Sequence, residues 1–186
     1  MNLIDAQRCA LVLVDYQHRL MPAIHGGAEA LAQAALLADI ASELGLRVIG
    51  TEQNPQGLGP NEEALRRRCD MTLPKLHFDA CADGLLDALS APGHAPVSEV
   101  VIAGCEAHVC LMQTALGLLR AGLKVWVVAQ ACGSRSAENH AWAMQRLRQS
   151  GAGIVSVEMA AFEWLRSCEH EAFRRVLKLL KAPPSL

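Results

Sequence analysis

The sequence predicts an α/β fold: a three-layer α/β/α, Rossmann-like open parallel sheet with helices on both faces. Two observations carry this. Nearly continuous apolar, β-branched runs (Cys9–Val14, Val100–Ala103 and Lys124–Ala129) recur along the chain, as in strands buried on both faces. Between them lie Ala- and Leu-rich stretches with helical spacing, so strand and helix alternate and right-handed crossovers follow. The 186 residues, 52% of them hydrophobic, suit one domain spanning 1–186 with a substantial core.

The first run, Cys9–Val14, stops at Asp15 and reads as a central strand ending in a carboxylate. A loop with Pro22, Gly26 and Gly27 leads into a helix from Ala28 to Leu44, closed by Gly45. Arg47–Thr51 is a short second strand, and the turn-rich segment Glu52–Pro60 continues neither a strand nor a helix. Thr72–Lys75 is a weaker strand that Pro74 confines to a short or edge position, with Lys75 near its end. Ala82–Leu89 is helical, and Pro92–Pro96 connects it to the strand Val100–Ala103. Leu111, Thr114, Ala115, Leu118 and Leu119 then recur at helical spacing up to Gly122. After the strand Lys124–Ala129 come the loop Gln130–Arg135, a helix from Ala137 to Ser150, a strand Ile154–Val157 and a short helix bearing Phe162, Trp164 and Leu165. In the tail, Phe173, Val176, Leu177 and Leu180 form an apolar stripe opposite Arg174, Arg175 and Lys178. That stripe is expected to dock on the core or on a neighbouring subunit of a homo-oligomer.

Composition narrows the function classes. The formal net charge is -2, and no Lys/Arg cluster is interleaved with aromatics, so no nucleic-acid partner is expected. No apolar run approaches the roughly 20 residues that span a bilayer, so no membrane partner is expected either. A small-molecule substrate is favoured. Seven cysteines, an odd number, accompany a start without a signal-peptide pattern, which points to the reducing cytoplasm.

In open α/β sheets ligands bind beyond the carboxyl ends of the strands, where strand order reverses. Asp15, Lys75 and Cys110 all fall at such ends. If the first strand and Val100–Ala103 are neighbours, Asp15 and Cys110 face each other across one crevice. Only Gly104–Val109 separates that strand from Cys110, which places the thiol at or just inside the first turn of a helix. Unpaired N–H groups and the helix dipole favour thiolate there, and a tight turn aims further N–H groups at a developing oxyanion. Cys110 is therefore the candidate nucleophile. Its pKa is expected to be depressed, and iodoacetamide is expected to label it before the other cysteines. Gln17, Glu52, Gln53, Phe78, His108 and Arg135 are the candidate substrate contacts.

Several motifs can be compared with known families: Asp15-Tyr16-Gln17; Thr51-Glu52-Gln53 running to Gly57-Leu58-Gly59-Pro60; Lys75-Leu76-His77-Phe78; Gly104-Cys105-Glu106-Ala107-His108-Val109-Cys110 followed by Gln113-Thr114-Ala115; and Ala131–Ser136. Over nearly its whole length the chain resembles the cysteine hydrolases of the isochorismatase-like superfamily, and within it the isochorismatase domain-containing proteins. The resemblance implies a triad in which Cys110 attacks, Asp15 accepts its proton and later returns it, and Lys75 holds and polarises the pair. It also implies a cis peptide before Glu106, with the N–H groups of Glu106 and Cys110 receiving the oxyanion. Zinc-dependent relatives, the nicotinamidases, carry a histidine after the second strand that Thr51-Glu52-Gln53-Asn54 lacks, so neither a metal nor another cofactor is expected. Asp79 stands where relatives often have a small residue, which leaves open whether it enters the pocket. The implied reaction is hydrolysis of a C–N bond in a small amide or carbamoyl-type substrate through a thioester on Cys110. Two alternatives remain: vinyl-ether hydrolysis with Asp15 as acid, and a catalytically idle oligomeric binding or redox-sensing protein.

Overall fold

The computed structural model describes residues 3–91 and 95–182. Six parallel strands, β1 (Cys9–Val14), β2 (Arg47–Gln53), β3 (Met71–Lys75), β4 (Glu99–Gly104), β5 (Lys124–Val128) and β6 (Gly153–Val155), form one sheet in the order β3-β2-β1-β4-β5-β6. The order reverses between β1 and β4, which are hydrogen-bonded neighbours with Val14 opposite Gly104. Every residue of these two central strands is buried, which explains why their sequences are apolar without alternation. They approach closely at their ends. A Cβ on Gly104 would stand 2.4 Å from the Val14 carbonyl oxygen, so only glycine fits there.

Helices cover both faces. One layer holds α1 (Gly27–Glu43), which packs against α3 (Glu63–Arg66), α7 (Val157–Leu165) and α8 (Phe173–Lys181). The other holds α5 (Met112–Arg120), packed against α6 (Ala137–Gln149) and the turn Ala80–Asp83. Two short helices, α2 (Pro55–Leu58) and α4 (Leu85–Leu89), complete the described elements. Among the described residues no helix is long and apolar enough to cross a membrane. In α8, Val176 is fully buried while Leu177 and Leu180 are half-buried, so the apolar stripe docks on the core in part.

Most element bounds follow the sequence reading, and the differences have local causes. The second strand runs on to Gln53 because β3 pairs with it as far as Gln53 opposite Lys75; Glu52 and Gln53 are strand, not loop. Pro55–Leu58, expected to be irregular, makes one helical turn that opens on a proline. The helix expected over Ala82–Leu89 is divided at Gly84, whose φ of 95° interrupts it. The last strand stops at Val155, since the Ser156 hydroxyl accepts the Met159 N–H at 3.1 Å and starts α7. The connection expected over Pro92–Pro96 lies in part outside the described residues.

Candidate active site

Asp15 leaves the end of β1 with φ at 56°, a left-handed conformation that is strained for a residue with a side chain. Its backbone N–H donates to the Thr51 carbonyl at 3.2 Å, and its Oδ1 accepts the Thr51 hydroxyl at 2.7 Å. Lys75, the last residue of β3, reaches across β2 and puts Nζ 2.7 Å from Asp15 Oδ2. Neither side chain is exposed. The aligned hydrogen bonds of Lys75 go elsewhere, to Gln53 Oε1 at 2.6 Å and the His77 carbonyl at 3.3 Å. The third donor of the ammonium is left for Asp15 Oδ2.

Cys110 sits not in a regular first turn but in a π-helical turn, Ala107–Leu111, in which the Leu111 N–H reaches back to the Glu106 carbonyl at 3.3 Å. The preceding Cys105–Glu106 peptide is cis. The Cys110 sulphur lies 3.9 Å from Gln53 Oε1, and the charges of Asp15 and Lys75 both act on its thiol. The three residues singled out from strand ends therefore meet at one point, around the Gln53 carboxamide.

The expected depression of the thiol pKa is overturned. Burial pushes Cys110 up to about 12 and the Asp15 charge adds to it, while the Lys75 ammonium opposes them without prevailing. Only 6% of Cys110 is exposed, so desolvation dominates any helix-terminus effect. The resting group is a neutral thiol. The labelling order expected from a preformed thiolate falls with it, because Cys168 is the exposed cysteine among the described residues.

The other candidates divide. Gln53 is at the centre. Gln17 is buried and fully committed: Nε2 donates to the Gln53 and Gly59 carbonyls (3.0 and 2.6 Å) and Oε1 accepts the Gln53 N–H at 2.9 Å. Its amide braces the strand end. Glu52 points to the other face of β2 from Thr51 and Gln53; its carboxylate accepts the Asn61 N–H at 2.9 Å and meets Arg66 at 3.6 Å. Glu106 pairs with Arg135 at 3.0 Å. Burial works against the Glu106 carboxylate, but the Arg135 N–H and guanidinium and nearby His108 together hold it below its ordinary range. His108 is half-buried, with Nδ1 3.1 Å from the Ser134 hydroxyl. Phe78 and Leu76, which follow Lys75 in the chain, are both exposed. Asp79 turns away: it caps the turn Ala80–Asp83 through the Cys81 N–H and pairs with Arg120 at 2.9 Å.

Thr51 and Ser134 were missed. Alternation along β2 carries a signal for Thr51, which shares a face with Gln53; nothing in the sequence ties Ser134 to His108. A cavity of about 480 Å3 reaches Lys75 between Asn54, Pro74 and Asp83. Another, of about 430 Å3, lies at the opposite end of the strands against Arg8, Leu46 and Arg47, far from this chemistry. Among the described residues no three His, Cys, Asp or Glu side chains are grouped to hold a metal ion.

Known proteins share this arrangement of elements. The family model for the isochorismatase domain matches residues 9–159. Isochorismatase domain-containing protein 2A of Mus musculus is 33% identical over 93% of this chain and 82% of its own length. Isochorismatase domain-containing protein 2 of Xenopus laevis is 34% identical over 93% and 83%. Among solved structures, one described as a MAR1 ribonuclease from Caenorhabditis elegans superimposes with a TM-score of 0.91, at 30% identity, over 100% of this chain and 95% of that one.

Proposed function

Because this chain belongs to the isochorismatase family, whose fold and hydrolase character it shares, we propose that it is a metal-independent cysteine hydrolase acting on the C–N bond of a small amide or carbamoyl-type substrate. The observation that carries the reading is Asp15, a buried carboxylate whose Oδ2 lies 2.7 Å from the Lys75 ammonium and whose charge acts on the Cys110 thiol.

The neutral thiol sets the order of events. Sγ attacks the carbonyl carbon as its proton passes to Asp15 Oδ2, so no thiolate has to persist at rest. The carbonyl π-electrons move to oxygen, and the resulting oxyanion is received by the N–H groups of Glu106 and Cys110. Collapse breaks the C–N bond, the amine leaves with the proton held by Asp15, and the acyl group stays on sulphur as a thioester. Water then attacks with Asp15 as base, releasing the acid and restoring the thiol. Lys75 stabilises the negative charge wherever it resides in the Asp15–Cys110 pair. We also assign Phe78, His108 and Arg135 to contacts with the leaving or acyl groups, with Leu76 on the cavity that reaches Lys75. We further propose that the chain works as a homo-oligomer, a reading supported by exposed Met159, Phe162 and Leu3.

The test is a substrate panel of amides, carbamoyl compounds, vinyl ethers and an RNA oligonucleotide, the last because a similar chain is described as a ribonuclease. Turnover of amides alone, lost in Cys110→Ala, is expected. Vinyl-ether turnover surviving in Cys110→Ala would favour acid catalysis by Asp15, and RNA cleavage without amide turnover would displace the reading.

A further inference from the structure

The Gln53 carboxamide is fixed at every atom. Its backbone N–H and carbonyl are both held by the Gln17 amide (2.9 and 3.0 Å), and its Nε2 donates to the Leu76 carbonyl at 2.7 Å. This decides which end of the amide faces inward, since an NH2 group turned to the Lys75 ammonium would set donor against donor. Oε1 is thus the atom 2.6 Å from Lys75 Nζ and 3.9 Å from Cys110 Sγ.

Resting on the hydrolase reading above, we infer that Gln53 is a positioning residue and not a substrate contact: its Oε1 holds the Lys75 ammonium between Asp15 and the sulphur. An ammonium has three donors. Gln53 and the His77 carbonyl engage two of them in directed bonds, the third is left for Asp15 Oδ2 at 2.7 Å, and the second lone pair of that oxygen remains for the thiol proton. Without Oε1 the ammonium would turn fully onto Asp15 and away from the sulphur. A neutral amide suits this position. A carboxylate would add a second negative charge beside a thiol that Asp15 already raises.

The test needs no substrate. Cys110 is alkylated with iodoacetamide at about pH 9, where the rate follows the thiolate fraction, so one unit of thiol pKa is about tenfold in rate. Peptide mass spectrometry follows wild type, Gln53→Met and Gln53→Glu, each also in a Lys75→Met background. Gln53→Met keeps the side-chain length, removes the acceptor, and is expected to slow Cys110 alkylation about tenfold. In the Lys75→Met background it should change nothing. Gln53→Glu keeps an acceptor for Lys75 but adds a charge, so it should be slowed with and without Lys75; if Gln53→Met does not fold, Gln53→Leu, which also lacks the acceptor, decides the matter. A wild-type rate in the variant that removes the acceptor, or an equal loss in it with and without Lys75, overturns the inference. So does a Gln53 variant that raises KM for an amide while leaving kcat unchanged, because that marks a substrate contact. If wild type turns over no amide, the hydrolase reading fails on its own while the alkylation rates still decide the Gln53–Lys75 link.

Discussion

Lys75 Nζ lies 2.7 Å from Asp15 Oδ2, with both side chains out of solvent, yet the directed hydrogen bonds of the ammonium run to Gln53 and His77. The pair is held by charge in a water-excluded site, where removing one member leaves the other uncompensated. Lys75→Met is therefore expected to lower the unfolding free energy by about 3–5 kcal/mol and to slow Cys110 alkylation. Urea unfolding and alkylation rates check the two effects separately. Lys75→Arg keeps the charge but substitutes a planar fork for a compact ammonium, so it should restore alkylation better than turnover. Unchanged stability and alkylation in Lys75→Met would show that this contact does nothing.

Labelling order follows from burial. At neutral pH iodoacetamide should modify exposed Cys168 first and Cys110 slowly. Asp15→Asn removes the charge that helps to raise the Cys110 thiol while leaving Lys75 in place. That variant should alkylate faster at Cys110 than wild type even though its turnover is lost. Peptide mapping gives both rates, and an Asp15→Asn rate equal to wild type would mean that Asp15 does not act on the sulphur.

Alkali should unfold this protein early. Burial pushes Cys9, Cys69, Cys81, Cys110 and Cys132 from 9.0 up to about 12, and Cys105 higher still. Each group binds its proton more tightly in the folded chain. The associated stability is complete below the unfolded value near 9.0 and is lost as pH rises through the folded values. Melting temperatures should accordingly fall between about pH 9 and pH 12. A Tm that holds steady across this window would show that the thiols are not as buried as their surroundings indicate.

Gly104 marks the tightest approach of the two central strands. Gly104→Ala sets a methyl carbon 2.4 Å from a backbone oxygen that cannot move aside without displacing β1. It should cost about 1–3 kcal/mol or more and, by shifting the strand that carries Asp15, reduce activity as well. Retention of wild-type Tm would require the strands to part without consequence.

The sheet and its switch point were legible because buried parallel strands must be apolar throughout, a pattern that Cys9–Val14 and Val100–Ala103 display openly. That Asp15 and Cys110 could face each other followed from strand ends alone, whereas the strand-end position of Lys75 only permitted it to join them. Pairing was not legible. Whether Glu52 and Gln53 extend β2 depends on what β3 offers them, and only the Gln53–Lys75 register settles that alternate side chains serve structure and site. Gln17 looked like a pocket residue because its backbone commitments involve Gly59, 42 positions away. The thiol pKa was misjudged for a related reason: the helix-terminus argument is local, whereas burial of Cys110 is a property of the whole packed crevice.

The central claim is that Cys110 carries the acyl group and Asp15 handles its proton. The most direct measurement is rapid-quench mass spectrometry of the enzyme mixed with the best amide of the panel, mapped to the peptide. The account predicts an acyl mass increment on Cys110 in wild type that forms and decays at the rate of turnover. It predicts none on any residue in Cys110→Ala, and a strongly slowed acylation in Asp15→Asn. Full turnover without an adduct in Cys110→Ala, or an acyl group on any other residue of wild type, would contradict it.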